Sequence, residues 1–367
     1  MSQAFLDDDA AAGLDTPAIV VDLDRADVRI AHMASVMRER GVALRPHTKT
    51  HKSLAFAKRQ IDAGAVGLTV ATIGEGEVFA DAGFKDLFIA YPVIARGPKV
   101  DRLRRLAARC NLSVGADSVI GLEALAADDD TARRLGVVIE IDSGGHRTGV
   151  RPDAAGSLAR RGLELGLDVR GAFTHGGHGS AGPAGRVGAA NDEVAALAAA
   201  AASLRAEGIE PTILSAGSTP TAELSARPPV TEERPGTYVF GDRQQAAIAE
   251  VPFEDAALMV AATVVSAGPA HGFVIDAGAK ILSKDVSSFL AGHGSVLGLP
   301  DAVIERVYDH HGVVALPPGS ARPAVGSIVW VMPNHVCPVV NLVDEYVIVS
   351  RGRIIERWPV DARGRNG

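Results

Sequence analysis

Two short stretches of the chain hold residues whose types and spacing could do chemistry. The first is Arg45-Pro46-His47-Thr48-Lys49-Thr50-His51-Lys52, which follows the apolar run Val42-Ala43-Leu44 and precedes a helical pattern starting at Ser53. Pro46 has no N–H for a central ladder, so a strand over Val42–Arg45 should end beside it. Two lysines and two histidines then crowd the C-terminal end of that strand, which is where ligands sit in α/β folds. A lysine that is desolvated and close to other cations has a lowered pKa and acts as a free amine, as Schiff-base chemistry requires. Taken alone, the stretch reads equally well as a solvated basic loop or a phosphate-binding patch. The second stretch is Pro333-Asn334-His335-Val336-Cys337-Pro338. On a strand, His335 and Cys337 would share a face. Imidazole and thiolate together suit Zn²⁺, and two protein ligands leave positions open to water and substrate. By itself the pair also reads as a buried cysteine beside an unrelated histidine.

The elements that must position these residues alternate regularly. After a first strand at Ala18–Leu23 and a helix capped by Asp24, apolar runs appear at Val42–Arg45, Leu68–Thr72, Leu87–Tyr91, Leu112–Ala116, Val137–Ile141, Val169–Thr174, Thr212–Ser215 and Thr237–Phe240. Helical patterns lie between them, among them Ser53–Ala63, Pro98–Ala108 and Asn191–Glu207. Eight buried strands joined by helices predict an α/β fold of the (β/α)8, TIM-barrel type. An open doubly wound sheet is the runner-up, but no Gly-x-Gly-x-x-Gly opens a helix after the first strand. After about Glu250 the period changes to strands punctuated by Gly and Pro. The expected domains are a barrel over residues 24–250 and a β-rich domain over residues 251–367, joined by the strand at residues 14–23.

Composition narrows the function classes. The chain has 367 residues, 47% of them hydrophobic, and a net charge of −7. That length supports more than one domain, and the negative balance argues against nucleic acid as a partner. No apolar run reaches the roughly 18 residues of a membrane helix, so no membrane partner is expected. The start, Met1 to Asp9, lacks a basic leader with an apolar core and reads as a frayed acidic tail. Cys110 and Cys337 are the two cysteines, which is no disulfide framework and suits a reducing cytoplasm.

On a barrel, the strand ends collect Lys49, Thr72, Tyr91, Asp142, Arg147, His175, His178, Ser215 to Thr219 and Arg234 to Asp242. The late loops are the usual phosphate site of such a barrel. Ser215-Ala216-Gly217-Ser218-Thr219-Pro220 offers backbone N–H groups and hydroxyls there, and Arg234-Pro235-Gly236-Thr237 offers a second turn. An aldehyde-reactive lysine plus a phosphate cradle points to pyridoxal 5'-phosphate.

These residues carry a resemblance through nearly the whole chain. It includes Asp15-Thr16-Pro17, Arg45 to Lys52, Glu140-Ile141-Asp142, Gly145-His146-Arg147-Thr148-Gly149-Val150, Thr174-His175, Gly217-Ser218-Thr219-Pro220-Thr221, Asp276-Ala277-Gly278, His311-Gly312 and Pro333 to Cys337. The chain resembles the pyridoxal phosphate enzymes of the alanine racemase-like barrel fold, in the D-serine dehydratase and D-threonine aldolase group. The resemblance implies a barrel plus β domain, a homodimer, the cofactor on Lys49 and a divalent metal on His335 and Cys337. The metal would be Zn²⁺, with Mn²⁺ or Mg²⁺ as alternatives. It further implies that Arg147 binds the phenolic oxygen of the cofactor and that His175 stacks on its ring. Ser218, Thr219, Gly236 and Thr237 would hold the phosphate. Arg234 would face the pyridine nitrogen or serve its own turn. His178 and His311 are candidate proton carriers, with plain surface histidines as the alternative.

The implied substrate is a small D-β-hydroxy amino acid. With an electron sink at Cα and a Lewis acid at the Cβ hydroxyl, two outcomes use the same residues. One is elimination of the hydroxyl to a keto acid and ammonia. The other is retro-aldol cleavage to glycine and an aldehyde. Dehydration is favoured, because His-x-Cys with Gly-Ser-Thr-Pro-Thr resembles the D-serine and D-threo-3-hydroxyaspartate dehydratases, while the aldolases more often carry His-x-Asp with a Gly-Gly-Gly-Thr loop. An amino-acid racemase, a non-enzymatic pyridoxal-binding barrel and a sugar-phosphate barrel enzyme using Lys49 rank below both.

Overall fold

The computed structural model describes Leu6, Ala11 and residues 13–249, 251–252, 255–267 and 272–367. The expected acidic tail therefore lies, apart from Leu6, outside the described residues, as does Glu250 at the expected domain boundary. The chain divides into two compact units. One takes Ala31–Lys49, Leu54–Gly236 and Gly364–Gly367; the other takes the described residues up to Ile30, Thr50–Ser53 and Thr237–Arg363.

The first strand, β1 (Ala18–Asp22), belongs to the second unit. The first unit is built on β2 (Ala43–Leu44), β3 (Leu68–Val70), β4 (Asp86–Pro92), β5 (Asn111–Ala116), β6 (Leu135–Glu140), β7 (Asp168–Phe173), β8 (Ile213–Ala216) and β9 (Glu232–Glu233). These eight strands pair in parallel in the order β2-β9-β8-β7-β6-β5-β4-β3. Backbone bonds join the two ends of that order: Val66 N–H donates to Leu44 O and Thr69 N–H to Pro46 O, both at 2.9 Å. The sheet is thus the curled barrel that the alternating pattern predicts. Its interior reads as near-continuous apolar runs, with β6 buried at all six positions, as expected where helices cover a parallel sheet. The helices match their patterns closely. Ser118 caps Val119–Ala126 by accepting from Gly121 N–H at 3.2 Å, and Pro98 opens Pro98–Ala107, where a missing N–H costs nothing.

Two local expectations fail. The eighth barrel strand is Glu232–Glu233, and Thr237–Val239 is a 3-10 turn. The true strand was hidden by two acidic residues, which an apolar-run criterion passes over. Glu232 is buried against Arg45 Nε at 2.9 Å and the Ser215 hydroxyl at 2.7 Å, so its charge is paired rather than solvated. The first helix starts at Leu23, and Asp22, not Asp24, accepts from Arg25 N–H at 3.0 Å. Asp24 instead binds Ser350 Oγ and Arg351 N–H.

The second unit holds a nine-stranded mixed sheet. Its further strands are β10 (Leu258–Ser266), β11 (Gly272–Ile275), β12 (Gly294–Val296), β13 (Val303–Val307), β14 (Gly312–Ala315), β15 (Ile328–Pro333), β16 (Glu345–Ser350) and β17 (Arg353–Pro359). The order is β13-β14-β11-β10-β1-β16-β17, with β15 bridging β10 and β12. β1 runs antiparallel to β10 and parallel to β16. One hydrophobic cluster here joins Leu6, Leu14, Val20, Met259, Met332 and Val347. Among the described residues no helix is long and apolar enough to cross a membrane.

Candidate active site

In the barrel unit the site starts from Lys49, in the 3-10 turn Thr48–Thr50 just past β2. The turn is held by the Thr48 hydroxyl, which donates to Thr69 O at 3.1 Å. Among the described residues no hydrogen bond or ion pair is made by Lys49 Nζ. Lys52 behaves differently, for its Nζ donates to Asn341 Oδ1 at 2.8 Å within the second unit.

His175 follows β7. Its Nδ1 donates to the Gly217 carbonyl at 3.1 Å, which fixes the tautomer. Burial and then the charge of Lys49 push its pKa down to about 3, with Arg147 and Arg234 acting the same way. One neutral imidazole thus has Lys49, Arg147 and Arg234 around it. Arg147 is exposed and makes no ion pair or hydrogen bond among the described residues. Arg234, in contrast, is buried; it donates to the Ser215 hydroxyl and the Thr174 carbonyl. Its guanidinium lies 5.8 Å from the Phe88 ring centre and 5.3 Å from that of Phe173, a cation–π arrangement.

The loop after β8 supplies the cradle. Gly217 has φ +113, a backbone that favours glycine. Ser218 is buried and its Oγ lies 2.9 Å from Thr221 Oγ1. Thr219 follows, and Gly236 ends the barrel unit at the second turn. His178 sits in the turn Gly177–Ser180 with Nε2 3.0 Å from Asp192 Oδ2 and a buried Nδ1 that has no partner. The residues present fit a phosphorylated aromatic aldehyde. Lys49 and Arg147 form no ion pair among the described residues, Lys49 is an amine, a neutral ring lies near them, and hydroxyls and N–H groups line a glycine turn.

The metal motif lies in the second unit. It is not on a strand: β15 ends at Pro333, His335 is extended with φ −140 and ψ 121, and Cys337 is in the first turn of the helix Val336–Val340. Pro338 explains the change, since its ring favours the start of a helix and cannot continue a ladder. The two side chains still meet, as each enters the other's electrostatics and they share a hydrogen bond. His335 Nδ1 lies 3.0 Å from Asp242 Oδ2, which also accepts Val336 N–H at 3.2 Å. That bond leaves Nε2 for a metal, the usual carboxylate–histidine support. Burial opposes protonation of His335, but the Cys337 thiolate and the Asp242 carboxylate prevail and raise its pKa to about 11. A pocket that so favours a proton there suits a divalent cation in its place. Thr50 Oγ1 lies 3.3 Å from Cys337 Sγ. Among the described residues no group of three or more His, Cys, Asp or Glu side chains that could hold a metal ion is present. Thr237 begins its 3-10 turn in this unit, and His311 is exposed between β13 and β14.

Asp242 was legible only as the end of a loop, and Glu193 was not singled out at all. Glu193 is fully buried on the helix Arg186–Ala206, with Ala189, Ala190, Ala196, Leu197 and Ala200 on the same face. A carboxylate on an apolar stripe of that spacing is itself a signal.

Comparison with known proteins agrees with this geometry. The family model for the alanine racemase N-terminal domain matches residues 21–244, and that for the putative serine dehydratase domain matches residues 257–349. D-threo-3-hydroxyaspartate dehydratase of Delftia sp. (strain HT23) is 36% identical over 374 residues, covering 95% of this chain and 98% of its own. D-threonine aldolase of Arthrobacter sp. is 32% identical over 369 residues, covering 97% and 94%. The solved structure of the Delftia dehydratase superposes with a TM-score of 0.88 at 34% identity, covering 95% of this chain and 98% of that one. This chain therefore belongs to the family that joins an alanine racemase N-terminal domain to a serine dehydratase domain.

Proposed function

We propose that the protein is a lyase of D-β-hydroxy amino acids, with pyridoxal 5'-phosphate on the barrel unit and a divalent metal, Zn²⁺ first, on His335 and Cys337. The observation that carries this reading is the contrast between two lysines: Lys49 Nζ is without a partner among the described residues, whereas Lys52 is tied to Asn341. When bound, the cofactor supplies the electron sink for charge developing at Cα. Lys49 would attach it, and its free amine would take the Cα proton. His175, neutral and fixed by Gly217, offers its flat face to the ring. Arg147 donates to the phenolic oxygen. Ser218, Thr219 and the backbone of Gly236 and Thr237 hold the phosphate. Arg234 braces the ends of β7 and β8 through Thr174 and Ser215.

His335 and Cys337 hold the metal, which as a Lewis acid serves the Cβ hydroxyl. Thr50, whose hydroxyl lies beside Cys337, is the residue after Lys49 in the chain. We favour dehydration, in which the Cα proton and the Cβ hydroxide leave as water and the product takes up water to release a keto acid and ammonia. A thiolate–imidazole pair suits this Lewis-acid role. Retro-aldol cleavage is the second reading, because it needs a base for the hydroxyl proton and His178, oriented by Asp192, or His311 could supply one. The functional unit is taken to be a homodimer. Incubation with D-threonine separates the readings: elimination gives 2-oxobutanoate and ammonia, and cleavage gives glycine and acetaldehyde. Glycine as the dominant product would overturn dehydration and leave the cofactor and metal assignments standing.

A further inference from the structure

One carboxyl group lies behind the cofactor loops and has no part in the chemistry above. Glu193 Oε1 accepts two backbone N–H groups, from Gly176 at 2.6 Å and from Gly217 at 3.0 Å. Those two glycines stand on different loops. Gly176 follows His175 after β7, and Gly217 precedes Ser218 and Thr219 after β8. Gly217 also closes the ring from the other side, because its carbonyl accepts from His175 Nδ1. A single oxygen atom on the helix Arg186–Ala206 therefore ties the residue assigned to the ring to the residues assigned to the phosphate. The fit is tight: a Cβ at Gly176 would come 2.6 Å from the Glu193 carboxyl carbon.

We propose that Glu193 is a positioning residue that fixes the spacing between His175 and the Ser218–Thr219 cradle, and so sets the affinity for the cofactor. This rests on the pyridoxal phosphate reading. The charge state of the site agrees with it. Glu193 is fully buried and its Oε2 has no partner among the described residues. Glu233 behind it is alike: its Oε2 is unpartnered, and a Cβ at Gly217 would come 2.2 Å from that oxygen. Burial raises the pKa of both groups, and the charge of Glu193 raises Glu233 further. The Glu193 carboxyl thus acts as a hydrogen-bond acceptor for two amides, with the Thr221 side chain as a further partner, and a neutral amide oxygen also accepts from two amides.

The test compares Glu193→Ala and Glu193→Gln with the wild-type chain by titrating pyridoxal 5'-phosphate into each, following absorbance and the circular dichroism of the bound cofactor. Glu193→Ala leaves two buried N–H groups unsatisfied, and the dissociation constant should rise roughly tenfold or more, with weakened dichroism. Glu193→Gln keeps the acceptor and should bind within about threefold of wild type with the wild-type dichroism. An Ala variant that binds as tightly as wild type overturns the inference. So does a folded Gln variant that binds tenfold more weakly, which keeps the test decisive if the Ala variant does not fold. A wild-type chain that binds no cofactor removes the pyridoxal phosphate reading itself, and this inference with it.

Discussion

Replacing Asp242 by alanine separates the support of the metal site from the metal ligands. Asp242 is 1% exposed and serves three donors: His335 Nδ1 at 3.0 Å, Val336 N–H at 3.2 Å and Gln245 N–H at 2.8 Å. The last of these caps the helix Arg243–Ala249, and losing such a cap costs about 1 kcal/mol. A buried N–H left without an acceptor adds roughly 1–3 kcal/mol, so Asp242→Ala should lower stability by about 2–4 kcal/mol. The same change frees the His335 ring to rotate and lowers its basicity, and loss of such a partner weakens metal binding about 10–100-fold. The assay is competition for Zn²⁺ against a chromophoric chelator, run well below the variant's unfolding midpoint. Cofactor binding, read by absorbance, should change little, because the hydrogen bonds of Asp242 go to His335, Val336 and Gln245, none of which is assigned to the cofactor. The reasoning is refuted if the folded variant holds Zn²⁺ within about threefold of wild type while His335→Ala abolishes it.

Two further outcomes follow from the same assignments. Borohydride reduction of the cofactor-loaded protein should label Lys49 on peptide mapping, and Lys49→Ala should lose the label; label on Lys52 or Lys280 would sink the assignment. Cys337→Ala should lose metal and at least about 100-fold of the lyase activity while keeping cofactor absorbance, an effect on the scale of losing a Lewis acid worth several kcal/mol. Full activity of that variant after chelator treatment would show that the metal is not required.

Much of the barrel was legible because its strands are buried on both faces and therefore apolar throughout, as in the Leu-Gly-Val-Val-Ile segment of β6. The eighth strand escaped because function or architecture places charge inside it. Glu232 and Glu233 break the hydrophobic signal, and what stabilises them, Arg45 and Ser225, lies 187 and 8 residues away in sequence. The His335–Cys337 pair, proposed to hold a metal, stands out as residue types, but its geometry was not legible. Spacing of two residues suggested a shared strand face, whereas a helix starts at Val336, with Pro338 in its first turn, and places Cys337 next to the N-capping His335. The strands β12, β13 and β14 are hard to place individually from sequence, since strands of three to five residues carry little pattern. Glu193 was legible in principle, as a carboxylate on a core-facing stripe of alanines, but single-residue breaks in a stripe are easily taken for noise.

The distribution of charge inside the barrel unit gives the last step. Removing a charge from water is expensive, and a buried cation ordinarily has its counter-ion beside it. Arg45 satisfies this with Glu232 and Asp86. Arg234 satisfies it with Glu232, Glu233, Glu193 and Glu140 in its surroundings. Lys49 is half-buried and Arg147 exposed; neither forms an ion pair among the described residues, although the charge of Arg147 acts on Glu140. Their charges are nonetheless strong enough at His175 to help keep it neutral. The positive charge of Lys49 and Arg147 is therefore felt at His175, beside the loop where the proposed function places an external anion. In the proposed reading, a phosphorylated cofactor together with an amino acid carboxylate would supply negative charge there.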